Sequence, residues 1–148
     1  MSIAQTTTTS FRVELFQAVH NFGPTSPNTF KIALYTASAS LDATTTVYTA
    51  SNEVTGTGYT AGGNTLVISV SPTSGNNTAG VPTAYIDFSD TSWSGASFTA
   101  RAALIYNSTQ SNKSVAVLDF GSDKTVSNTT FQIVFPTADA NSAIVRIS

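Results

Sequence analysis

The chain has no cysteine, one histidine and little charge. Without thiols it forms neither a disulfide nor a thiolate metal site, and one histidine is too few for a zinc site built from imidazoles. Charged residues make up 9% of the chain, against about a quarter in an average soluble domain. The 6 lysines and arginines are scattered rather than clustered. The sequence therefore predicts no nucleic-acid interface, no metal site and no cofactor.

Two further absences concern membranes and export. No apolar run approaches the roughly 18 residues of a membrane-spanning helix. The first residues, MSIAQTTTTS, contain neither the basic nor the apolar region of a secretory signal peptide. We therefore expect a soluble protein that does not bind membranes and folds where it is made.

Serine and threonine take the place of the missing charge and make up nearly a third of the 148 residues. A hydrophobic share of 41% is enough for a core, and the length suits one domain. Threonine favours strands because its branched Cβ suits a pleated surface. A surface with so little repulsive charge tends to stick unless a partner covers it. The composition is thus a first indication of an assembled protein.

The N-terminal region changes character at residue 10. Residues 1–9 are polar and of low complexity, which predicts a flexible arm ahead of a single β-sandwich domain over residues 10–148. The segment SFRVELFQAVHNF predicts a short helix with Ser10 as N-cap, ended by a Gly-Pro pair. A strand is the alternative, but Phe16 breaks its alternation. The apolar residues at helical spacing are Phe11, Leu15, Ala18, Val19 and Phe22.

Large apolar side chains lie on more than one side of this predicted helix. Such a helix needs two partners, the sandwich on one side and another subunit or protein on the other. The candidate contact residues are Phe11, Val13, Leu15 and Phe16.

After Pro27 the apolar residues alternate with polar ones, as in half-buried strands. The segments TFKIALYT, TLVISVS, AYIDFS, SFTARAALIYN, SVAVLDF, TFQIVF and SAIVRIS, with a weaker one at Val47–Ala50, give about eight strands closed by turn residues. This spacing predicts an all-β, antiparallel β-sandwich or jelly-roll-like fold with a short N-terminal helix. The residues predicted to be buried on the inner faces are Phe30, Ile32, Leu34, Ile68, Phe88, Leu104, Ile133 and Phe135.

Two local features of this strand pattern are also predictions. The segment SFTARAALIYN is expected to keep one alternation throughout, with Phe98, Ala100, Ala102, Leu104 and Tyr106 on one face. The glycine- and asparagine-rich stretch SPTSGNNTAGVPT, residues 71–83, is expected to be an exposed loop.

The stretch EVTGTGYTAGGN contains the G-x-G-x-x-G/A pattern of dinucleotide-binding loops. That site needs a buried parallel strand before the glycines and a helix after them. Here a polar segment precedes the pattern, and Gly62-Gly63-Asn64 would break a helix. A Walker loop is also absent from the sequence. We therefore predict that these glycines make a wide turn and the start of a hairpin, and that ATP, NAD and GTP do not bind.

The remaining candidates for chemistry are isolated residues. His20 lies in the predicted helix, and without a G-x-S-x-G elbow it is expected to be a helix-end or partly buried histidine. Asp87 with Asp90, and Asp119 with Asp123, could serve a glycosidase or bind calcium, but solvent-facing or turn positions are the simpler interpretation.

Trp93 is the remaining candidate for ligand binding. It could stack on a sugar if exposed, although such a residue more often fills the end of a sandwich core.

Four runs of the sequence resemble a group of small structural proteins of tailed-bacteriophage virions. In order they are VELFQAVHNF, TFKIALYTASASLDATTTVYTASNEVTGTGYTAGGNTL, ARAALIYN and AVLDFGSDKTV. The similarity extends over roughly residues 10–148 and is specific in its two central runs. Members of this size look like capsid cement, or decoration, proteins. The resemblance implies a β-sandwich without enzymatic activity, and it offers no catalytic motif.

The resemblance also implies a partner and a place. It predicts a homo-oligomer, most simply a trimer, that binds the major capsid protein on the outer surface of the virion after assembly in the bacterial cytoplasm. A neck, tail or fibre component is the alternative within the virion. Outside it, the alternatives are a carbohydrate-binding module and, last, a hydrolase.

Overall fold

Two antiparallel β-sheets face each other in the structure, a computed structural model that describes residues 2–148. The elements in chain order are β1 (Thr6–Thr7), α1 (Thr9–Phe16), β2 (Phe30–Tyr35), β3 (Asn64–Thr65), β4 (Ile68–Asn76), β5 (Pro82–Phe88), β6 (Thr91–Asn107), β7 (Lys113–Ile133) and β8 (Val145–Ile147). One sheet has 5 strands in the order β1-β7-β6-β2-β3, and the other has 3 in the order β4-β5-β8. The predicted antiparallel β-sandwich with a short N-terminal helix is confirmed.

The main core lies between the two sheets. The residues predicted on the inner faces are all buried except Ile68, which is partly buried against this core. Leu104 is buried on the outer face of the five-stranded sheet instead of the inner one. Strand β2 is buried on both faces, because a second cluster covers the outer face of the five-stranded sheet. This second cluster is formed by strand residues and by the connection after β2, and it contains Ala33, Tyr35, Ala39, Leu41, Ala102, Leu104, Tyr106 and Val117.

A bulge in the β6–β7 hairpin reverses the alternation of β6. Ala100 pairs with Lys124, whereas Ala102 pairs with Asp119, so β7 inserts extra residues at 120–123. Phe98 and Ala100 consequently belong to the core between the sheets, but Ala102 and Leu104 belong to the outer cluster. The prediction that Phe98, Ala100, Ala102, Leu104 and Tyr106 share one face is therefore wrong. Two residues of β6, at 101 and 102, separate Ala100 and Ala103 of the main core, and this shifts the two-residue period.

Helix α1 begins earlier than predicted. Its N-cap is Thr8 rather than Ser10, and the Thr8 side-chain oxygen accepts a hydrogen bond from the backbone N–H of Phe11 at 3.3 Å. This bond satisfies one of the N–H groups that the first turn leaves without a helical partner.

Helix α1 also ends earlier than predicted, at Phe16 instead of just before Gly23. Ala18 has a φ of 57°, its N–H donates to the Leu15 carbonyl at 3.2 Å, and the Val19 N–H donates to the Glu14 carbonyl at 3.0 Å. These are the two bonds of a Schellman motif, which closes a helix with a left-handed residue. The apolar periodicity continues past this point because the chain beyond it packs on the same core, not because it is helical.

Residues 2–9 are not the flexible arm that was predicted. The Leu41 N–H donates to the Ser2 carbonyl at 2.8 Å, the Ala4 N–H donates to the Leu41 carbonyl at 2.9 Å, and β1 pairs with β7. Backbone groups pair with a strand edge whatever the side chains are, so composition alone did not indicate this. Met1, the first residue of the predicted arm, lies outside the described residues.

Three smaller predictions also need correction. The weak strand at Val47–Ala50 is reduced to a single bridge between Val47 and Lys113. The expected loop 71–83 is largely strand, because β4 runs to Asn76 and β5 begins at Pro82. SVAVLDF and TFQIVF, predicted as separate strands, form one continuous β7.

Candidate functional site

Helix α1 presents large apolar side chains to solvent. Phe16 is 94% exposed and Val13 is 51% exposed, and no other large apolar side chain in residues 2–148 is as exposed as Phe16. Leu15 is partly buried against the main core, and Phe11, at 1% exposed, is part of it. Of the four predicted contact residues, Phe11 is thus buried in the core of its own chain. Val13 and Phe16 form what we term the helix surface.

An open groove of about 360 Å³ lies beside helix α1. Strands β5 and β8 pair Ile86 with Val145 and Ala84 with Ile147. The first pair is buried in the core, whereas the second is exposed. Residues two apart on a strand share a face, so the groove is the uncovered end of the inner face of the three-stranded sheet. Its apolar lining includes Phe11, Leu15, Phe22, Ile86, Val145 and Ile147.

The sheet edges at β4 and β7 are poorly suited to pairing with another chain. Strand β4 contains Pro72 and two register irregularities against β5. The edge of strand β7 beyond β1 has no strand partner in residues 2–148. This edge is interrupted by the insertion at 120–123 and by Asn128, which has a φ of 48°. Prolines and bulges are the means by which edge strands avoid edge-to-edge association. These features hinder the addition of a further strand at these two edges.

A buried polar cluster fixes the other side of helix α1. The Lys113 Nζ donates to Glu14 Oε1 at 2.7 Å, and the fully buried ring of His20 contacts Glu14 Oε2 through Nε2 at 2.8 Å. Burial alone would raise the pKa of Glu14, but the hydrogen bonds from Lys113 and His20 outweigh it and hold that pKa below its ordinary value. The carboxylate therefore joins the helix to β7 and to the segment that follows the helix.

Asn107 determines which nitrogen of His20 carries the proton. Its Oδ1 accepts from the backbone N–H groups of Thr109 and Gln110 at 3.1 and 3.2 Å. Its Nδ2 must then donate, and it does so to Asn28 Oδ1 at 2.9 Å and to His20 Nδ1 at 3.0 Å. His20 Nδ1 is consequently an acceptor, so the ring is neutral with its proton on Nε2, donated to Glu14.

His20 is therefore held by its neighbours rather than poised for catalysis. Both ring nitrogens are occupied, by Glu14 and by Asn107, and neither is free to activate a nucleophile. Burial lowers the pKa of His20 below its ordinary value, against the opposing effect of the Glu14 carboxylate. The sequence predicted a helix-end or partly buried histidine, whereas His20 lies four residues after the helix and its ring is fully buried.

The partners of His20 were not predicted from the sequence. Asn107 lies 87 positions from His20 along the chain, and Lys113, which donates to Glu14, lies 99 positions from Glu14. One signal was present at Glu14. It follows Phe11 by three positions, on the apolar side of the helix, where an unpaired acid would be costly and a buried partner is to be expected.

The glycine loop is built around the carboxylate of Glu53. Glu53 Oε1 accepts from the Tyr59 hydroxyl at 2.6 Å and from the Gly62 N–H at 2.7 Å, and Oε2 accepts from the Tyr48 hydroxyl at 2.7 Å. Burial and the nearby carboxylate raise the pKa of Tyr59. Gly63 leads directly into β3, so no helix follows the glycines. The arrangement is that of a structural turn, and the absence of nucleotide binding stays a prediction.

The aspartates proposed as pairs have separate hydrogen-bond partners. Asp87 is buried, contrary to the expectation that it faces solvent, and burial raises its pKa. Asp90 accepts from the Phe135 N–H at 2.9 Å, and Asp119 accepts from Arg101 Nε at 3.2 Å. Within residues 2–148 no group of three or more His, Asp or Glu side chains could hold a metal ion.

Trp93 fills the core instead of presenting a stacking surface. It is 4% exposed, and its ring lies 6.0 Å from that of Tyr59 and 5.9 Å from that of Phe131. The exposed indole on which sugar binding would depend is therefore not present at this position.

No protein-family model, curated protein or solved structure matches the chain. Helix α1, with 8 residues, is the one helix among residues 2–148, and it is too short to span a membrane.

Proposed function

We propose that the chain is a structural protein of a tailed-phage virion, a capsid cement protein that binds the outside of the assembled head as a homotrimer. Two things support this: the resemblance of residues 10–148 to such proteins, and the helix surface. The single observation that carries the proposal is the exposure of Phe16, at 94%, on a helix whose opposite side is fixed to the sandwich. An apolar side chain held out from a firmly attached element is suited to insertion into a partner.

The energetics suit a part that acts in many copies. Burying one Phe or Val side chain contributes about 1.5–3 kcal/mol, which is modest for a single site. A ligand that binds only the assembled shell stabilises it by RT ln(1 + [L]/Kd) at each site, so many occupied sites add up. Joining three helix surfaces in a closed trimer raises the attachment strength further, because the second and third contacts become intramolecular.

Phe16→Ser tests the proposal directly. The experiment is co-sedimentation of the protein with heads of the encoding phage that have been assembled without it. We expect the apparent affinity to fall at least about tenfold, since that loss corresponds to about 1.4 kcal/mol. Val67→Ser is the matched control, because Val67 is also an exposed apolar residue, at 65%, but lies between β3 and β4. The control should attach like the wild type.

Light scattering on the same samples separates the two contacts that Phe16 could make. A Phe16→Ser protein that keeps about three times the 15.4 kDa chain mass but no longer sediments with heads places Phe16 at the capsid contact. Loss of the oligomer places it between subunits. Wild-type attachment by Phe16→Ser would contradict the proposed surface, and a full-length protein that binds necks or tails but never heads would support the neck or tail alternative instead.

A further inference from the structure

We propose that His20 is an acid-sensitive tie between helix α1 and strand β6. When neutral, it joins Glu14 of the helix to Asn107 of the strand. When it takes up a second proton, the tie breaks and the segment from α1 to Gly23, which forms one wall of the groove, loosens before the sandwich unfolds. This inference does not depend on the proposed function.

The geometry leaves no acceptor for a second proton. A proton on His20 Nδ1 would point at the Asn107 Nδ2 amide, which is itself a donor. Asn107 cannot turn its oxygen toward the ring without losing its bonds to the Thr109 and Gln110 N–H groups and to Asn28. Asn28 is fixed as well, because its Oδ1 also accepts from the Asn21 N–H at 2.9 Å. Protonation therefore requires the ring to leave its site.

The charges around His20 do not reverse this conclusion. Glu14 would favour an imidazolium, but its charge is already balanced by Lys113 at 2.7 Å. Arg146 of β8 lines the same groove as His20 and adds another positive charge on that side. Tyr85 of β5 is also in the lining, and the other near neighbours are the rings of Phe11, Phe22 and Phe30.

The sign of the pH dependence follows from the lowered pKa of His20. A histidine with a folded pKa below its ordinary value of 6.5 binds fewer protons in the closed form than in the open form. The closed form is thus at full stability above pH 6.5 and loses stability as the pH falls below this value. The ratio of closed to open protein then falls by up to about tenfold per pH unit. Glu14, with a pKa also lowered, adds to the loss only below its ordinary value of 4.5.

Nuclear magnetic resonance can test the tie without ambiguity, because the chain has a single histidine. Nitrogen shifts at pH 7.5 should report a proton on Nε2 and none on Nδ1. On acidification, the backbone signals of Thr9–Phe16 and of residues 17–23 should change below pH 6.5, while those of β2 and the paired part of β6 stay constant. An Nδ1–H tautomer, an imidazolium at pH 7.5, or α1 signals that change only together with the β2 signals would overturn the proposal.

Asn107→Asp replaces the Nδ2 donor that faces His20 Nδ1 with a carboxylate oxygen, which is an acceptor. Its carboxylate can accept a proton from Nδ1, so His20 should titrate at least one pH unit higher than in the wild type and α1 should stay attached at lower pH. Asn112→Asp is the control, because it adds the same charge in the same turn at an exposed position that does not bond the ring. A histidine that titrates identically in wild type and Asn107→Asp would contradict the proposal. The wild-type titration decides the matter alone should Asn107→Asp not fold.

Discussion

At the scale of single residues, close approach of backbones fixes the glycine loop. Gly63 has a φ of 70°, and a Cβ added to it would overlap the carbonyl oxygen of Ile32 in β2. Gly80 has a similar φ of 76°, but a Cβ there would meet nothing within 4 Å. The pair separates the cost of an unfavourable backbone conformation, which both positions share, from the cost of a clash, which only Gly63 has.

We expect Gly80→Ala to lower the free energy of unfolding by about 1–2 kcal/mol, and Gly63→Ala to lower it by about 1–3 kcal/mol more. Urea denaturation followed by tryptophan fluorescence measures both, because Trp93 is buried in the core. Equal losses for the two variants would mean that β2 moves aside at little cost, and the loop would then not be fixed by this contact.

The residue scale is also where sequence reasoning reached least far. Most of the predicted core was confirmed, because hydrophobicity and burial are linked residue by residue. The polar cluster of Glu14, His20 and Asn107 was missed, because Asn107 reaches His20 only through the pairing of segments 87 positions apart. Asp87 shows the opposite failure. Its charge predicted exposure, yet the fold buries it, and a single sequence carries no signal for that choice.

At the scale of elements, the two-residue period predicted where strands occur but not where their faces change. The alternation in β6 looks continuous from Phe98 to Tyr106, but it shifts between Ala100 and Ala103, where the register with β7 is irregular. Helix α1 shows the same limit. Its apolar spacing continues to Phe22, whereas the left-handed Ala18 ends the helix. Pairing and chain reversal are decided by neighbours that the local pattern does not contain.

Thr8 connects three elements, so the stability lost on its replacement is the prediction that belongs to this scale. It is buried, its side-chain oxygen caps α1 through the Phe11 N–H, and it contacts the Ser114 hydroxyl of β7 at 2.9 Å. Replacing it with alanine should lower the free energy of unfolding by about 1–2 kcal/mol, the usual cost of a lost N-cap. Thr9→Ala, at the adjacent exposed position, should change stability by no more than about 0.5 kcal/mol.

Thermal and urea unfolding of both variants give the comparison. If residues 2–9 were a free arm, Thr8→Ala and Thr9→Ala would be equally harmless. Equal, small losses would support a flexible arm at residues 2–9 and contradict the pairing of β1 with β7.

At the scale of the whole molecule, the scarcity of charge determines how the protein can bind a partner. With 6 basic and 8 acidic residues in 148, and with Glu14, Lys113, Arg101 and Asp119 already paired internally, little charge remains for an electrostatic interface. Phe16, the most exposed large apolar side chain of residues 2–148, and the groove beside its helix are the alternatives that the surface offers. Attachment to a capsid should therefore depend on apolar burial, which salt screens little.

The last prediction follows from this balance. Attachment of the wild-type protein to heads should change less than about threefold between about 0.05 and 1 M NaCl, although charges in water are screened within about 3 Å at the upper concentration. Sodium sulfate should strengthen it, because sulfate favours the burial of apolar surface. The measurement is the co-sedimentation isotherm at each salt concentration, with Phe16→Ser alongside to show that the remaining binding depends on the helix surface. A fall of tenfold or more with NaCl would mean that the few exposed charges dominate the contact, and the helix surface would then not be the main site of attachment.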